Sequence, residues 1–243
     1  MDVEPMRQGE EECAAALRLL IRMREHYGLR FFDLVVVDAW YTQGPFLKAV
    51  VQMGWPVIAV LKQERYNIYQ EALALSRGQA PTQKVQREGR PVEIGDLPQM
   101  TFTDTYTEPV RVVRVREIYT QRQRRGGQWV TEQKEQNWIW GVAGDLDGYG
   151  GSLIRDWGHW RWKIENNAFN ELTQSWNLTH CAHHHPVALL VLLWIKILAC
   201  TLFHAFAILQ GKLLRLGKVT FNEWRQRIYR SLLCGGVIPF FSG

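Results

Sequence analysis

Two acidic residues, Asp38 and Glu165, occupy positions where a carboxylate can serve metal chemistry. Asp38 directly follows the apolar run FFDLVVV, and Glu165 lies in the segment RWKIENNAFNEL, four residues after Arg161. Hard divalent cations such as Mg²⁺ take oxygen ligands, and two-metal phosphoryl transfer needs several carboxylates that converge from separate elements. The two acids together are therefore a candidate metal site for phosphoryl chemistry.

Each acid also has a plainer interpretation. An Asp at the end of a buried strand often caps the next helical turn, because its carboxylate accepts hydrogen bonds from free backbone N–H groups. Arg161 and Glu165 share one face of a helix, where an exposed ion pair is worth roughly 0.3–0.5 kcal/mol. The residues themselves leave both alternatives open.

The elements around Asp38 follow an α/β pattern. The spacing of apolar residues predicts a helix over 10–27, a buried strand over 31–37, a short helix over 42–54 and a second buried strand over 55–62. Alternating helices and strands are typical of α/β folds, in which active sites gather at the carboxyl ends of strands. Asp38 is at such an end.

The rest of the chain changes character twice. Residues 63–140 combine a short helical pattern with runs such as VRVVRVREIYT and a RRGGQ turn, which predict a β-rich insertion containing a hairpin. Residues 141–243 are mostly helical. We therefore predict a partial α/β core at 1–62, the insertion at 63–140 and a helical part at 141–243.

In this order, FFDLVVVDAWY, GWPVIAVLKQER, a β-rich insertion and RWKIENNAFNEL followed by an apolar helical tail resemble the DDE domain of insertion-sequence transposases. The resemblance covers nearly the whole chain. It implies a ribonuclease H-like fold in which Asp38 is the second catalytic acid and Glu165 the third. It also implies that both acids bind Mg²⁺ or Mn²⁺, and that Arg161 orients Glu165 or positions a phosphate.

The match to this family has two gaps. The family's Tyr before the Glu falls on Gly158, and its Lys after the Glu falls on Leu172 or Thr173. The resemblance implies phosphate contacts at these positions, and Lys163, Arg155 or His159 are the candidate substitutes.

The first catalytic Asp of the family precedes the first predicted helix by several strands. Asp2 and Asp33 do not fit its position. We therefore expect a truncated ribonuclease H-like fold that does not cleave DNA by itself. The alternative is a non-catalytic DNA-binding or dimerising fragment that inhibits a full-length transposase.

The insertion is rich in arginine, and the resemblance implies double-stranded DNA, transposon ends and target, as the partner. Alternation along VRVVRVREIYT predicts one basic strand face, which is either a solvated surface or a contact to the DNA backbone. The candidate DNA-binding residues are Lys163, Arg111, Arg114, Arg116, Arg122, Arg124 and Arg125. A net charge of +5 is a mild bias in the same direction.

Three further features concern compartment and partners. Four cysteines without regular spacing favour reduced thiols and a cytoplasmic location. The tract HCAHHHP at 180–186 allows a zinc site, with capping or packing as the favoured role. The apolar segment 186–209 is long enough to span a membrane, but its internal Lys196 favours a buried core helix, and no membrane partner is expected. The apolar C-terminal helices could also form the surface of a homodimer or mixed dimer.

Overall fold

The computed structural model describes residues 3–62, 67–103, 105–180, 184–214 and 221–234. The chain forms two compact units, of which the first ends at Phe169 and the second begins at Asn170. The predicted divisions at 62 and 140 both lie inside the first unit, because strands from either side of them join one sheet.

The first unit alternates helices and strands, then adds four strands and a helix. Its elements are α1 (Glu12–Tyr27), β1 (Val35–Val37), α2 (Gly44–Gln52), β2 (Val57–Val60), α3 (Asn67–Ser76), β3 (Gln83–Arg87), β4 (Arg90–Met100), β5 (Val110–Arg125), β6 (Gln128–Ala143) and α4 (Gly151–Lys163). A π-helical segment, Ile164–Phe169, continues α4. The predicted first two helices, the second strand and the hairpin at the RRGGQ turn are confirmed.

The six strands form one mixed sheet in the order β1-β2-β6-β5-β4-β3. Strands β1 and β2 are parallel, and the other neighbouring pairs are antiparallel. The predicted α/β class is confirmed at this level. The strands predicted as an insertion supply most of the sheet and continue it beyond β2.

Both faces of the sheet are covered by helices. In β2, Val57 and Ala59 pack in a core with residues of α1, α2 and α3, while Ile58 and Val60 pack in a second core with Ile154 of α4. A strand buried on both faces needs apolar residues at every position rather than at alternate ones. This explains the uninterrupted sequence VIAV.

Strand β1 is shorter than predicted. Only Val35–Val37 form a ladder, and a 3₁₀ turn occupies Leu29–Phe31. The partner strand β2 begins at Val57, which pairs with Val35, so the preceding residues have no strand beside them. Phe32 stacks on Trp55 instead, with ring centroids 4.3 Å apart. The prediction of a strand from residue 31 is wrong because strand length is set by the partner.

The second unit is helical and contains α5 (Asn170–Gln174), α6 (Pro186–Leu214) and α7 (Phe221–Cys234). The apolar part of α6, Pro186–Leu209, is long and apolar enough to cross a membrane by length and composition, and 11% of its most apolar stretch is buried. The prediction of a buried core helix is therefore wrong for this structure. Composition predicted the helix, but burial depends on neighbours.

Candidate functional site

Asp38 lies at the carboxyl end of β1 and caps the turn that follows. Its Oδ1 accepts a hydrogen bond from the backbone N–H of Trp40 at 2.8 Å, so the capping alternative is realised. Val36 faces the core beneath α4. Asp38 is two residues further along and has extended backbone angles, so its side chain is on the same face of the sheet.

The surroundings of Asp38 are acidic. The Tyr41 hydroxyl donates to Glu12 Oε1 at 2.6 Å. Burial raises the pKa of Tyr41, and the bond to Glu12 and the negative charges of Glu12 and Asp38 raise it further. A cation is favoured where several negative charges act together. Glu12 was not among the predicted site residues, although the acidic run at 10–12 was a visible signal.

Glu165 lies in the π-helical segment and is accessible. Its side chain is 48% exposed, and Arg161 Nη1 donates to its Oε1 at 2.5 Å. The surface ion pair is therefore present as well. π-Helical insertions are frequent at functional sites. Helix α4, which leads into the π-helical segment of Glu165, packs against β1 and β2. The helix that leads into Glu165 therefore lies on the face of the sheet that carries Val36.

One group of three possible metal-ligating side chains converges in the described part of the chain, and it consists of Glu171, Cys200 and His204. Neither Asp38 nor Glu165 belongs to it. The predicted roles of the two acids as metal ligands stay predictions.

A buried ion-pair cluster joins α4 to the sheet. Arg155 Nη2 lies 2.7 Å from Glu117 Oε1, and His159 Nε2 lies 3.0 Å from the same oxygen. Burial alone would raise the pKa of Glu117, but the hydrogen bonds from His159 and Arg155 outweigh it and lower the pKa. Arg155 and His159 both bind this internal carboxylate, and their role as substitute phosphate contacts stays a prediction.

The six arginines of β5 are divided between both faces of the strand. Side chains alternate along the strand, so Arg111 and Arg125 lie opposite the other four, which are Arg114, Arg116, Arg122 and Arg124. Arg111 is held by Asp96 at 2.6 Å and also donates to two backbone carbonyls. It is a structural residue of the sheet.

The arginines nearer the hairpin end differ in how far they are neutralised. Arg116 bridges Glu93 and Glu135, both on neighbouring strands. At the far end of the hairpin, Arg122 lies over the ring of Trp129, and Arg125 is 2.9 Å from Glu132. The cross-strand acids could not be read from the local sequence, which offered only Glu117 as a neighbouring acid.

The remaining predicted basic residues are Arg114 and Arg124 of β5 and Lys163 at the end of α4. Arg114 Nη1 donates to Ser76, and Arg124 Nε donates to the backbone carbonyl of Gly127. Lys163 is exposed, with its ammonium 5.9 Å from the ring centre of Trp160. The hairpin tip and Lys163 therefore keep the most accessible positive charge of the predicted set.

The HCAHHHP tract is described only in part. Cys181 and His183 lie outside the described residues, and His180 donates its backbone N–H to the carbonyl of Asn177 at 3.0 Å. A zinc site formed by this tract stays an untested alternative. Of the four cysteines, Cys13 and Cys200 are free thiols in the described part of the chain.

Comparison of the sequence with models of known protein families and with curated proteins finds no match. The functional assignment consequently depends on the residues and on their arrangement in the fold.

Proposed function

We propose that this chain belongs to a DDE-type transposase and supplies the second and third acids of its ribonuclease H-like domain. The observation that carries the proposal is the placement of the two acids. Asp38 ends a strand that is parallel to its neighbour, and Glu165 follows a helix on the same face of the sheet. The order of these elements is that of the family which the sequence resembles.

The chemistry of the two side chains suits a hard cation. Asp38 and Glu165 offer carboxylate oxygens, which are the ligands that Mg²⁺ and Mn²⁺ take in proteins, and the negative charges near Tyr41 favour a cation at the end of β1. In the intact enzyme these acids would hold the metal, which would supply activation of the attacking oxygen and stabilisation of the leaving oxygen of the DNA strand. Arg161 holds Glu165 by a charge-assisted bond and so orients this acid.

Strand β1 lies at an edge of the described sheet. Among the described strands, β1 pairs on one side only, with β2. In the family that the sequence resembles, the first acid lies on a strand that comes well before the helix corresponding to α1. The resemblance leaves neither Asp2 nor Asp33 in the position of the first acid, and on that ground we propose that this chain by itself does not cleave DNA.

The test is metal-dependent nicking of supercoiled DNA by the purified chain, measured with salt-dependent DNA binding. Asp38→Ala and Glu165→Gln are the site variants, and Asp33→Asn, an exposed acid five residues before Asp38, is the matched control. We expect DNA binding that weakens with salt and no nicking by any variant. Nicking abolished by Asp38→Ala but retained in Asp33→Asn would support the family and disprove the proposed inactivity.

Two outcomes would count against the family itself. The first is an absence of DNA binding at low salt. The second is nicking that Asp38→Ala leaves unchanged, since the activity would then come from other residues or from a contaminant.

A second candidate is a DNA-binding or dimerising fragment that inhibits a full-length transposase. The accessible arginines at the hairpin tip favour it, because phosphate contacts need cations that can reach the backbone of DNA. Replacing Arg122, Arg124 and Arg125 together by Gln should weaken DNA binding and reduce the slope of its salt dependence by about one for each phosphate that is no longer neutralised. Arg111→Gln is unsuitable as a comparison because it breaks the pair with Asp96.

A further inference from the structure

Three side chains of different chemistry converge between α5 and α6 in the second unit. Glu171 Oε1 lies 2.8 Å from His204 Nε2 and 3.9 Å from Cys200 Sγ. The three ligand atoms lie within 4.8 Å of one another. Cys200 and His204 are four residues apart on α6, so they share one helical face, and Glu171 reaches them from the neighbouring helix.

This combination of donors is characteristic of a particular class of metal. A thiolate, an imidazole and a carboxylate suit Zn²⁺, which is bound tetrahedrally by sulfur, nitrogen and oxygen. Zinc bonds of about 2.0–2.3 Å place neighbouring ligand atoms about 3.3–3.8 Å apart. The observed separations of 2.8 and 3.9 Å bracket this range, so small side-chain movements suffice.

The environment also provides an orienting contact and access to solvent. Trp176 Nε1 donates to Glu171 Oε1 at 3.3 Å, in the manner of groups that hold metal ligands in place. Cys200 is buried, whereas the side chains of Glu171 and His204 are 25% and 47% exposed. The exposed side of the cluster leaves room for a water molecule as a fourth ligand and for entry of the ion.

We propose that Glu171, Cys200 and His204 form a zinc site that joins α5 to α6. On binding, the Cys200 thiol loses its proton to solvent and its sulfur forms a bond to Zn²⁺, while Glu171 and the neutral imidazole of His204 complete the set of protein ligands. Without the metal, burial and then the charge of Glu171 raise the pKa of the Cys200 thiol. Binding of Zn²⁺ must therefore displace this proton, and the convergence of the three ligand atoms is the observation that carries the proposal.

The proposal is independent of the transposase assignment and uses different residues. It also differs from the zinc alternative for the HCAHHHP tract, which involves Cys181. Two cysteine variants separate these possibilities, and Cys13→Ser, which removes a buried free thiol of the first unit, is the matched control.

The experiment is titration of the metal-free full chain with Zn²⁺ by calorimetry and with Co²⁺ by absorption spectroscopy. We expect about one equivalent of Zn²⁺ per chain and a thiolate-to-cobalt charge-transfer band. Both should disappear in Cys200→Ser and persist in Cys13→Ser and Cys181→Ser. His204→Gln should weaken binding while the cobalt band persists at high metal concentration, and Trp176→Phe should weaken it by about 10–100-fold.

Three results would overturn the proposal. These are the absence of a cobalt–thiolate band in the wild-type chain, a band that survives Cys200→Ser, and a band that disappears in Cys181→Ser but not in Cys200→Ser. Circular dichroism of each variant checks that the helices persist. If Cys200→Ser loses its helices, the test is made with His204→Gln and Trp176→Phe. Unchanged affinity for Zn²⁺ in both variants would exclude the site.

Discussion

Two glutamate–arginine pairs involve the same helical run, α4 and its π-helical continuation, and they differ in almost every physical respect. Glu117 and Arg155 have side chains only 4% and 8% exposed, with His159 as an additional partner. Glu165 is 48% exposed, whereas its partner Arg161, one turn earlier, is 11% exposed. Water reaches and screens the Glu165 carboxylate, so loss of its charge should cost little stability, whereas either partner of the buried pair is costly to leave alone.

The contrast teaches which acid is available for chemistry. Glu117 has its charge satisfied inside the protein and fixes α4 on the sheet. Glu165 is held by one arginine and otherwise faces solvent, so a cation or phosphate can reach it. Substitutions at the two pairs and at their helix test this division of roles, beginning with the largest expected effect.

Arg155→Ala should lower the free energy of unfolding by about 3–5 kcal/mol, because it leaves Glu117 charged in a buried site. Urea denaturation measures the change, and Glu165→Gln, which removes the charge of the 48% exposed carboxylate, is the comparison. Equal losses of stability in the two variants would contradict the difference between the pairs. A double variant with Glu117→Gln should recover part of the loss if the stranded charge is its cause.

Gly158→Ala should cost about 1–3 kcal/mol by overpacking the interface between α4 and the sheet. A Cβ at this position would lie 2.4 Å from Trp140 Nε1 and 2.6 Å from Trp140 Cε2. Gly148→Ala is a suitable control, since a Cβ there meets nothing within 4 Å. A stability loss no greater than that of the control would show that α4 can move away from Trp140 freely.

The stability of the buried pair should depend on pH. The pKa of Glu117 is lowered below its ordinary value of 4.5, so the folded state binds fewer protons there than the unfolded state. Its stabilising contribution is complete above about pH 4.5 and is lost as the pH falls through the folded pKa. Urea unfolding between pH 7 and pH 3 should therefore show a smaller decline in Glu117→Gln than in the wild-type chain.

Other carboxylates with lowered pKa values, among them Glu4, Glu93 and Glu135, contribute to the decline in both proteins and cancel in the difference. Identical slopes would mean that folding does not shift the pKa of Glu117.

The smallest expected effect on stability is that of Glu165→Gln. The exposed pair with Arg161 contributes about 0.5 kcal/mol or less, so the denaturation midpoint should hardly change. Binding of Mn²⁺, followed by its electron paramagnetic resonance signal, should weaken in the same variant if Glu165 is a metal ligand. A large stability loss would place Glu165 with Glu117 as an architectural residue.

The sequence predicted the local structure well where local interactions decide it. Helix α1, the hairpin at Gly126 and Gly127, and the buried strand VIAV follow from spacing, turn residues and apolar runs. It also predicted that Arg161 and Glu165 share a helix face, because the helical repeat fixes this geometry. The capping role of Asp38 followed equally from its place after a strand.

Partners distant in sequence could not be predicted in this way. The cross-strand acids that hold Arg116 and the pairing of Arg155 with Glu117 depend on strand register and on where α4 lies. The length of β1 depends on where its partner begins, and the exposure of α6 depends on what covers it. None of these is a property of a local segment.

By itself, therefore, the sequence determined which segments form helices and strands and which side chains carry the chemistry of a metal or phosphate site. The tertiary structure decided which of those side chains are consumed internally, as Arg155, His159 and Arg111 are, and which stay accessible, as Glu165 does. It also brought Glu171, Cys200 and His204 together from two helices. The physical reason is that a side chain's charge is available to a ligand only if folding neither buries nor pairs it, and both conditions depend on residues far away in the chain.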